Sequence, residues 1–225
     1  MNIVVKLGGH LIFNEELDIE LLERYSEIFR ELYDGGRWVV VVGGGRHARR
    51  YVESARKLGL SESICDEIGI KITRINASIL SSLIGEKAYP LVPENLDQLR
   101  AYSTHGKIVI MGGLQPGQST MAVSALAAET IGAEKLIIAT DVDGIYTADP
   151  KKDPTARMLK EVSVKELIEK LIDYSHEAGE YKLADLTGLK IIARSRIPTI
   201  YLNGKNPENL IKALRGERVG TLVKP

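Results

Sequence analysis

The stretch GGLQPGQST, residues 112–120, follows the apolar run KIVIM and leads into the alanine-rich MAVSALAAE. Strand, glycine turn and helix are the parts of a phosphate-binding loop, in which backbone N–H groups and a helix N-terminus receive an anion. Gly112 and Gly117 stand at the spacing of the first two glycines of the nucleotide P-loop, but Gln118-Ser119 takes the place of its Lys-Ser or Lys-Thr. Without that lysine the loop cannot clamp a triphosphate alone. It still offers backbone donors, the hydroxyls of Ser119 and Thr120 and the amides of Gln115 and Gln118. That set suits a smaller anion or a sugar, and an ordinary glycine-rich connection accounts for the same residues.

Four further clusters could work beside it. Lys6 ends an apolar strand just before Gly8-Gly9. A buried ammonium is costly unless it reaches an anion, and a strand end also lets a lysine snorkel to water. Exposed glycine N–H groups beside it favour the anion. In GGGRHARR, residues 43–50, three glycines admit close backbone approach, and Arg49 lies one helical turn from Gly45. A tight turn with surface arginines reads the same way. TDVDGIYTADPKKDP brings Thr140 and Asp141 to a strand end, then an Asp143-Gly144 turn, Tyr146 as a flat ring and Asp149-Pro150 as a second turn. In ADLTGLKII, Asp185 opens a helix and Lys190 follows; a plain N-cap and a solvated lysine are the simpler reading.

The elements that must position these groups alternate between strand and helix. NIVVKL, WVVVV, KIVIM, KLIIATDV and PTIYLNG read as buried strands. Leu17, Leu21, Tyr25, Ile28 and Leu32 draw one apolar stripe along 16–34, closed by Gly35-Gly36. Helical patterns follow the glycine triplet and cover about 66–84, 120–131, 163–172, 185–196 and 207–215. AYPLV reads as a short strand and the terminal TLVK as an edge strand. The pattern specifies an α/β protein: a three-layer α/β/α sandwich with a mostly parallel central sheet. Ligands then bind beyond the carboxyl ends of the strands, where the glycine clusters lie. One domain over 1–225 is expected, with room for two lobes of about 1–130 and 131–225.

Composition narrows the classes. Lysine plus arginine equals aspartate plus glutamate at 30 each, which argues against a general nucleic-acid binder. The single cysteine, Cys65, builds no internal disulfide or metal cluster. His10, His47, His105 and His176 lack metal-ligand spacing, and no HExxH, CxxC or GxSxG occurs. Lys6 and the glycines break the N-terminal apolar run too early for a signal peptide, and no segment reaches membrane length. A soluble, cytoplasmic protein with no membrane or nucleic-acid partner is the expectation.

In order, VVKLGGH, VVVVGGGRHARRY, SICDEIGIKITRINA, GGLQPGQSTMAVSALAAE, ATDVDGIYTADPKKDPTA and ADLTGLKIIARS resemble the amino acid kinase family and, within it, the archaeal-type uridylate kinase branch. The resemblance implies phosphoryl transfer from ATP, with Mg²⁺, to UMP. It places ATP at Gly9, His10, Gly45, Arg49, Thr140, Asp141, Tyr146 and Asp149. It places UMP at Gly44, Asp66 and the loop Leu114, Gln115, Pro116, Gly117, Gln118, Ser119 and Thr120. The lysine missing from that loop would be Lys6, on another strand, with Asp185 orienting it and Lys190 a second charge. Members of this branch assemble as hexamers built from dimers, which implies a homo-oligomer. Two positions depart from the family pattern: His10 stands where serine is usual, and Thr187-Gly188 replaces small apolar residues. A sister kinase of another acid or monophosphate, and a nucleotide-binding protein without turnover, are the rival readings.

Overall fold

Strand and helix formation follow the apolar runs and stripes of the chain. A computed structural model of the 225-residue chain describes residues 1–13, 16–148, 150, 153–174 and 185–225, without the side chains of 172–174. The elements are β1 (Ile3–Leu7), α1 (Gly9–Ile12), α2 (Ile19–Leu32), β2 (Trp38–Val42), α3 (Gly45–Lys57) and α4 (Glu62–Ile84). A short 3₁₀ turn at Gly85–Lys87 follows, then α5 (Leu96–Tyr102), β3 (Val109–Met111), α6 (Thr120–Ile131) and β4 (Lys135–Thr140). The chain ends with β5 (Glu161–Ser163), α7 (Val164–Tyr174), α8 (Leu186–Ser195), β6 (Thr199–Asn203), α9 (Glu208–Leu214) and β7 (Thr221–Lys224).

The seven strands form one sheet in the order β3-β2-β1-β4-β6-β7-β5. The five from β3 to β6 are parallel; β7 runs against β6, and β5 is parallel to β7. Helices cover both faces. Ile3, Val5 and Leu7 of β1 pack with Tyr25 of α2, Leu80 of α4 and Leu210 of α9. Val4, on the opposite face, packs with Leu99 of α5, Val123 of α6 and Leu189 of α8. Alternation along the strand therefore sends Lys6 to the α6–α8 side. The chain leaves β1 toward β2 and β3, and β4 starts the other half of the sheet. Such a reversal opens a crevice at the carboxyl ends of the strands, and Lys6 pairs in register with Ile138 of β4 across it.

Several expectations need correction. TLVK is an interior strand: β7 lies between β6 and β5. Its cover, EVS, is three residues long and too short to show an alternating pattern. AYPLV supplies one bridge, Ala88 with Ile108, because Pro90 has no N–H to extend a ladder. The fourth helix begins at Glu62, ahead of the apolar stripe, and α1 and α5 carry no sequence period long enough to read. Among the described residues no helix is long and apolar enough to cross a membrane.

Candidate active site

The turns after β1, β2 and β3 meet around a cavity of about 380 Å³. Lys6, Gly9, His10, Gly45 and Arg49 line one part of it. Gly44, Asp66, Gln118 and Thr120 line it too, so residues expected at a donor and at an acceptor share one space. Its lining is rich in polar and charged side chains, among them Lys6, Arg49 and Asp66, and its size is of the kind that holds a small ligand.

The first two turns touch backbone to backbone. Gly45 has φ +68, and a Cβ there would sit 1.9 Å from the carbonyl oxygen of Phe13. Arg46 N–H donates to that same oxygen at 2.8 Å, which fixes the start of α3 against the first turn. Sheet bonds continue into the turns: Gly8 N–H donates to Ala139 O at 3.0 Å and Gly43 N–H to Leu7 O at 3.0 Å.

Helix α4 braces the second and third turns. Asn76 Nδ2 donates to the carbonyl oxygens of Gly43 at 3.0 Å and Gly44 at 3.4 Å. Thr73 Oγ1 accepts from Gly113 N–H at 2.7 Å and donates to Ile70 O at 2.6 Å. Asp66 Oδ2 accepts from Gly117 N–H at 2.8 Å, drawing the 112–120 loop over the cavity. Sequence reasoning singled out Asp66 and missed Thr73 and Asn76. Their types are ordinary for a helix, and their partners lie 40 and 33 residues away.

Lys6 is the electrostatic centre. Burial is the main influence on its ammonium and lowers its pKa to about 8, against the attraction of Asp185 and then Asp141. Asp185 also caps α8, accepting from Gly188 N–H at 2.6 Å, so the plain capping role is real. Its other oxygen accepts a short hydrogen bond from Ser119 Oγ. Ser119 in turn caps α6, accepting from Met121 N–H at 3.1 Å and Ala122 N–H at 3.0 Å. The N-termini of α6 and α8 are thus tied together beside Lys6. Lys190 is exposed on α8 and does not line the cavity.

Asp185→Asn separates the two roles of that carboxylate. Asparagine caps a helix about as well as aspartate, so thermal stability should change by less than about 1 kcal/mol. The charge that raises the Lys6 pKa is lost. Turnover should fall at least about tenfold, with the alkaline limb of its pH profile moving down. An unchanged limb would separate Asp185 from Lys6.

The turn after β4 lies beside this cavity. His10 Nε2 stands 3.2 Å from Asp141 Oδ1. It is nonetheless buried without a well-formed hydrogen bond among the described residues. Burial, aided by Lys6 and Arg49, pushes the imidazole below its ordinary range despite the pull of Asp141. His10 is therefore neutral at pH 7. Gly204 N–H donates to Thr140 O at 2.7 Å and Asn203 Nδ2 to Asp143 Oδ1 at 2.9 Å. Thr221 Oγ1 accepts from Ile145 N–H at 2.9 Å, fastening the turn to β7. Tyr146 is half-buried and bridges to Met158. Thr140, Asp141 and Tyr146 do not line the cavity. Of the third turn, Leu114, Gln115, Pro116, Gly117 and Ser119 lie outside its lining too. Asp149 falls outside the described residues.

The sequence pattern that defines the amino acid kinase family matches residues 1–203. The chain is 46% identical to a uridylate kinase of Methanobrevibacter smithii, over 99% of this chain and 99% of that protein. It is 46% identical to one of Methanothermobacter thermautotrophicus over the full length of both. A crystal structure of the uridylate kinase of Archaeoglobus fulgidus superposes with a TM-score of 0.89 at 40% identity, covering 99% of this chain and 100% of that one. The UMP kinase of Bacillus anthracis, 23% identical, shares the fold with a TM-score of 0.83 over 99% of this chain and 95% of its own.

Proposed function

The chain belongs to the amino acid kinase family, and from that premise we propose that it transfers the γ-phosphoryl group of ATP to UMP, giving UDP and ADP. One observation carries the reading: Lys6 projects from the switch point of the sheet into a cavity lined by both glycine turns and by Asp66 of α4. The acceptor lies against α4 and the 112–120 loop, with Asp66 facing ribose hydroxyls. ATP lies across the first turn and the turn after β4.

A UMP phosphate oxygen attacks the γ-phosphorus, and the bond from that phosphorus to the β–γ bridging oxygen breaks. ADP leaves with the electron pair. The nucleophile is already ionised near neutral pH, so no general base is required. Catalysis then consists of holding two phosphates in line and neutralising the charge that spreads onto the equatorial oxygens. Lys6, Arg49 and the turn N–H groups supply that. Mg²⁺ brought with ATP would supply further neutralising charge there. No cluster of three acidic, histidine or cysteine ligands exists among the described residues. Asp141 and Asp185, the carboxylates near Lys6, would hold the cation together with phosphates and water.

The test is ADP release with UMP, CMP, dUMP and AMP offered side by side. UMP should be preferred. Turnover of acetylglutamate or isopentenyl phosphate with UMP ignored, or ATP binding without ADP release, would overturn the reading. The pH profile adds a second check. With the Lys6 pKa near 8, kcat/KM of the free enzyme should decline above about pH 8. Bound phosphates favour the ammonium, so the limb in kcat should lie higher.

A further inference from the structure

We propose that Arg74, which does not line the cavity, is a positioning residue for the acceptor. This rests on reading 112–120 as the acceptor loop. Arg74 Nε donates to Gly113 O and Nη2 to Leu114 O, each at 3.2 Å. The far side of the same guanidinium is held by Glu94, with Nη1 2.8 Å from its carboxylate and Nη2 3.3 Å from its carbonyl oxygen. Thr73, the preceding residue, takes Gly113 N–H. Three consecutive peptide units of the loop are therefore fastened to one turn of α4.

Peptide planarity gives this a direction. In a trans peptide the N–H points opposite to the C=O of the same unit. With the carbonyls of Gly113 and Leu114 turned to Arg74, the N–H groups of Leu114 and Gln115 turn away from it. Neither N–H has a partner among the described residues. Further along the loop, Gln118 Oε1 is buried in the cavity lining, also without a partner among the described residues. The loop thus holds ready donors and an acceptor, and a ligand carrying both carbonyl or phosphate oxygens and N–H or O–H groups, as a pyrimidine nucleotide does, would satisfy them. A planar fork suits this job: it grips two carbonyls at fixed orientation, where an ammonium is a single point.

The experiment compares wild type, Arg74→Met, Arg74→Lys and Glu94→Gln. KM for UMP is measured at saturating ATP, KM for ATP at saturating UMP, Kd for UMP by calorimetry, and the unfolding temperature in parallel. Arg74→Met should raise KM and Kd for UMP about tenfold or more, with KM for ATP within about twofold. Arg74→Lys should recover part of the loss, and Glu94→Gln, which keeps both carbonyl contacts, should stay near wild type. Unchanged UMP affinity in Arg74→Met, or both KM values rising together with a fall in unfolding temperature, would overturn the role. Should Arg74→Met fail to fold, the same split in Arg74→Lys decides. A wild-type protein that ignores UMP would sink the functional reading itself; an active wild type with an unaffected Arg74→Met would sink only this inference.

Discussion

Lys6→Met is expected to abolish phosphoryl transfer and, at the same time, to make the protein more stable. The catalytic loss follows from its place. It is the ammonium at the crevice between β1 and β4, and removing one preorganised charge or donor at a transition state costs about 10²–10³ in kcat. The gain in stability follows from the depressed pKa. The folded chain releases the proton near pH 8, whereas the unfolded lysine holds it to 10.5. Each unit is worth about 1.4 kcal/mol, so keeping the ammonium charged in the fold costs about 3 kcal/mol below pH 8. That penalty fades as pH rises from 8 toward 10.5, because the unfolded chain then binds more protons than the folded one. Methionine, similar in length and uncharged, escapes it. The pull of Asp185 and Asp141 is already contained in that lowered pKa, so the gain is on the order of 3 kcal/mol. For a chain of this length the unfolding temperature at pH 7 should rise by about 6–12 °C. The difference from wild type should shrink at pH 10. A destabilised Lys6→Met, or one with near-normal turnover, would remove Lys6 from its assigned position.

Gly9→Ala should be nearly as damaging to turnover, for a steric reason. A Cβ at Gly9 would lie 2.2 Å from the backbone nitrogen of Gly45 and 2.6 Å from the carbonyl carbon of Gly43. Neither neighbour is a side chain that can swing aside, so the two turns must separate by about 1 Å. A displacement of that size between groups holding two reactants costs about 10²-fold in rate. The cost in stability should be about 1–3 kcal/mol, typical of overpacking, so kcat/KM falls far more than stability does. Gly8→Ala meets the His10 ring at 2.9 Å and Ala139 O at 3.1 Å and should be milder, because the ring can move. Equal and small losses in both variants would mean that the contact between the turns does not set the geometry of transfer.

What the sequence determined by itself was the set of strong local signals. WVVVV can only be a strand buried on both faces, and β2 is fully buried. The stripe Leu17, Leu21, Tyr25, Ile28 and Leu32 reads as an amphipathic helix, and α2 forms there and buries Leu22, Tyr25, Ile28 and Phe29, while Leu17 lies ahead of it and is exposed. A lysine at the end of an apolar strand reads equally as a snorkelling side chain, and the two glycines after it tip the reading toward an anion. The ordered motifs then pointed to the family, because six segments in register are far harder to match by chance than one. Only the tertiary structure decided the rest. β5 and α1 are too short to carry a period, and they form because β7 and the second glycine turn lie alongside them. Asp185 reads as a helix cap from its neighbours alone; folding adds Ser119 and Lys6, distant in the chain, to the same carboxylate. Thr73, Arg74 and Asn76 carry no local signal, since what they hold is backbone. Backbone carbonyls and N–H groups are identical along every sequence, and only the fold says which of them need a partner.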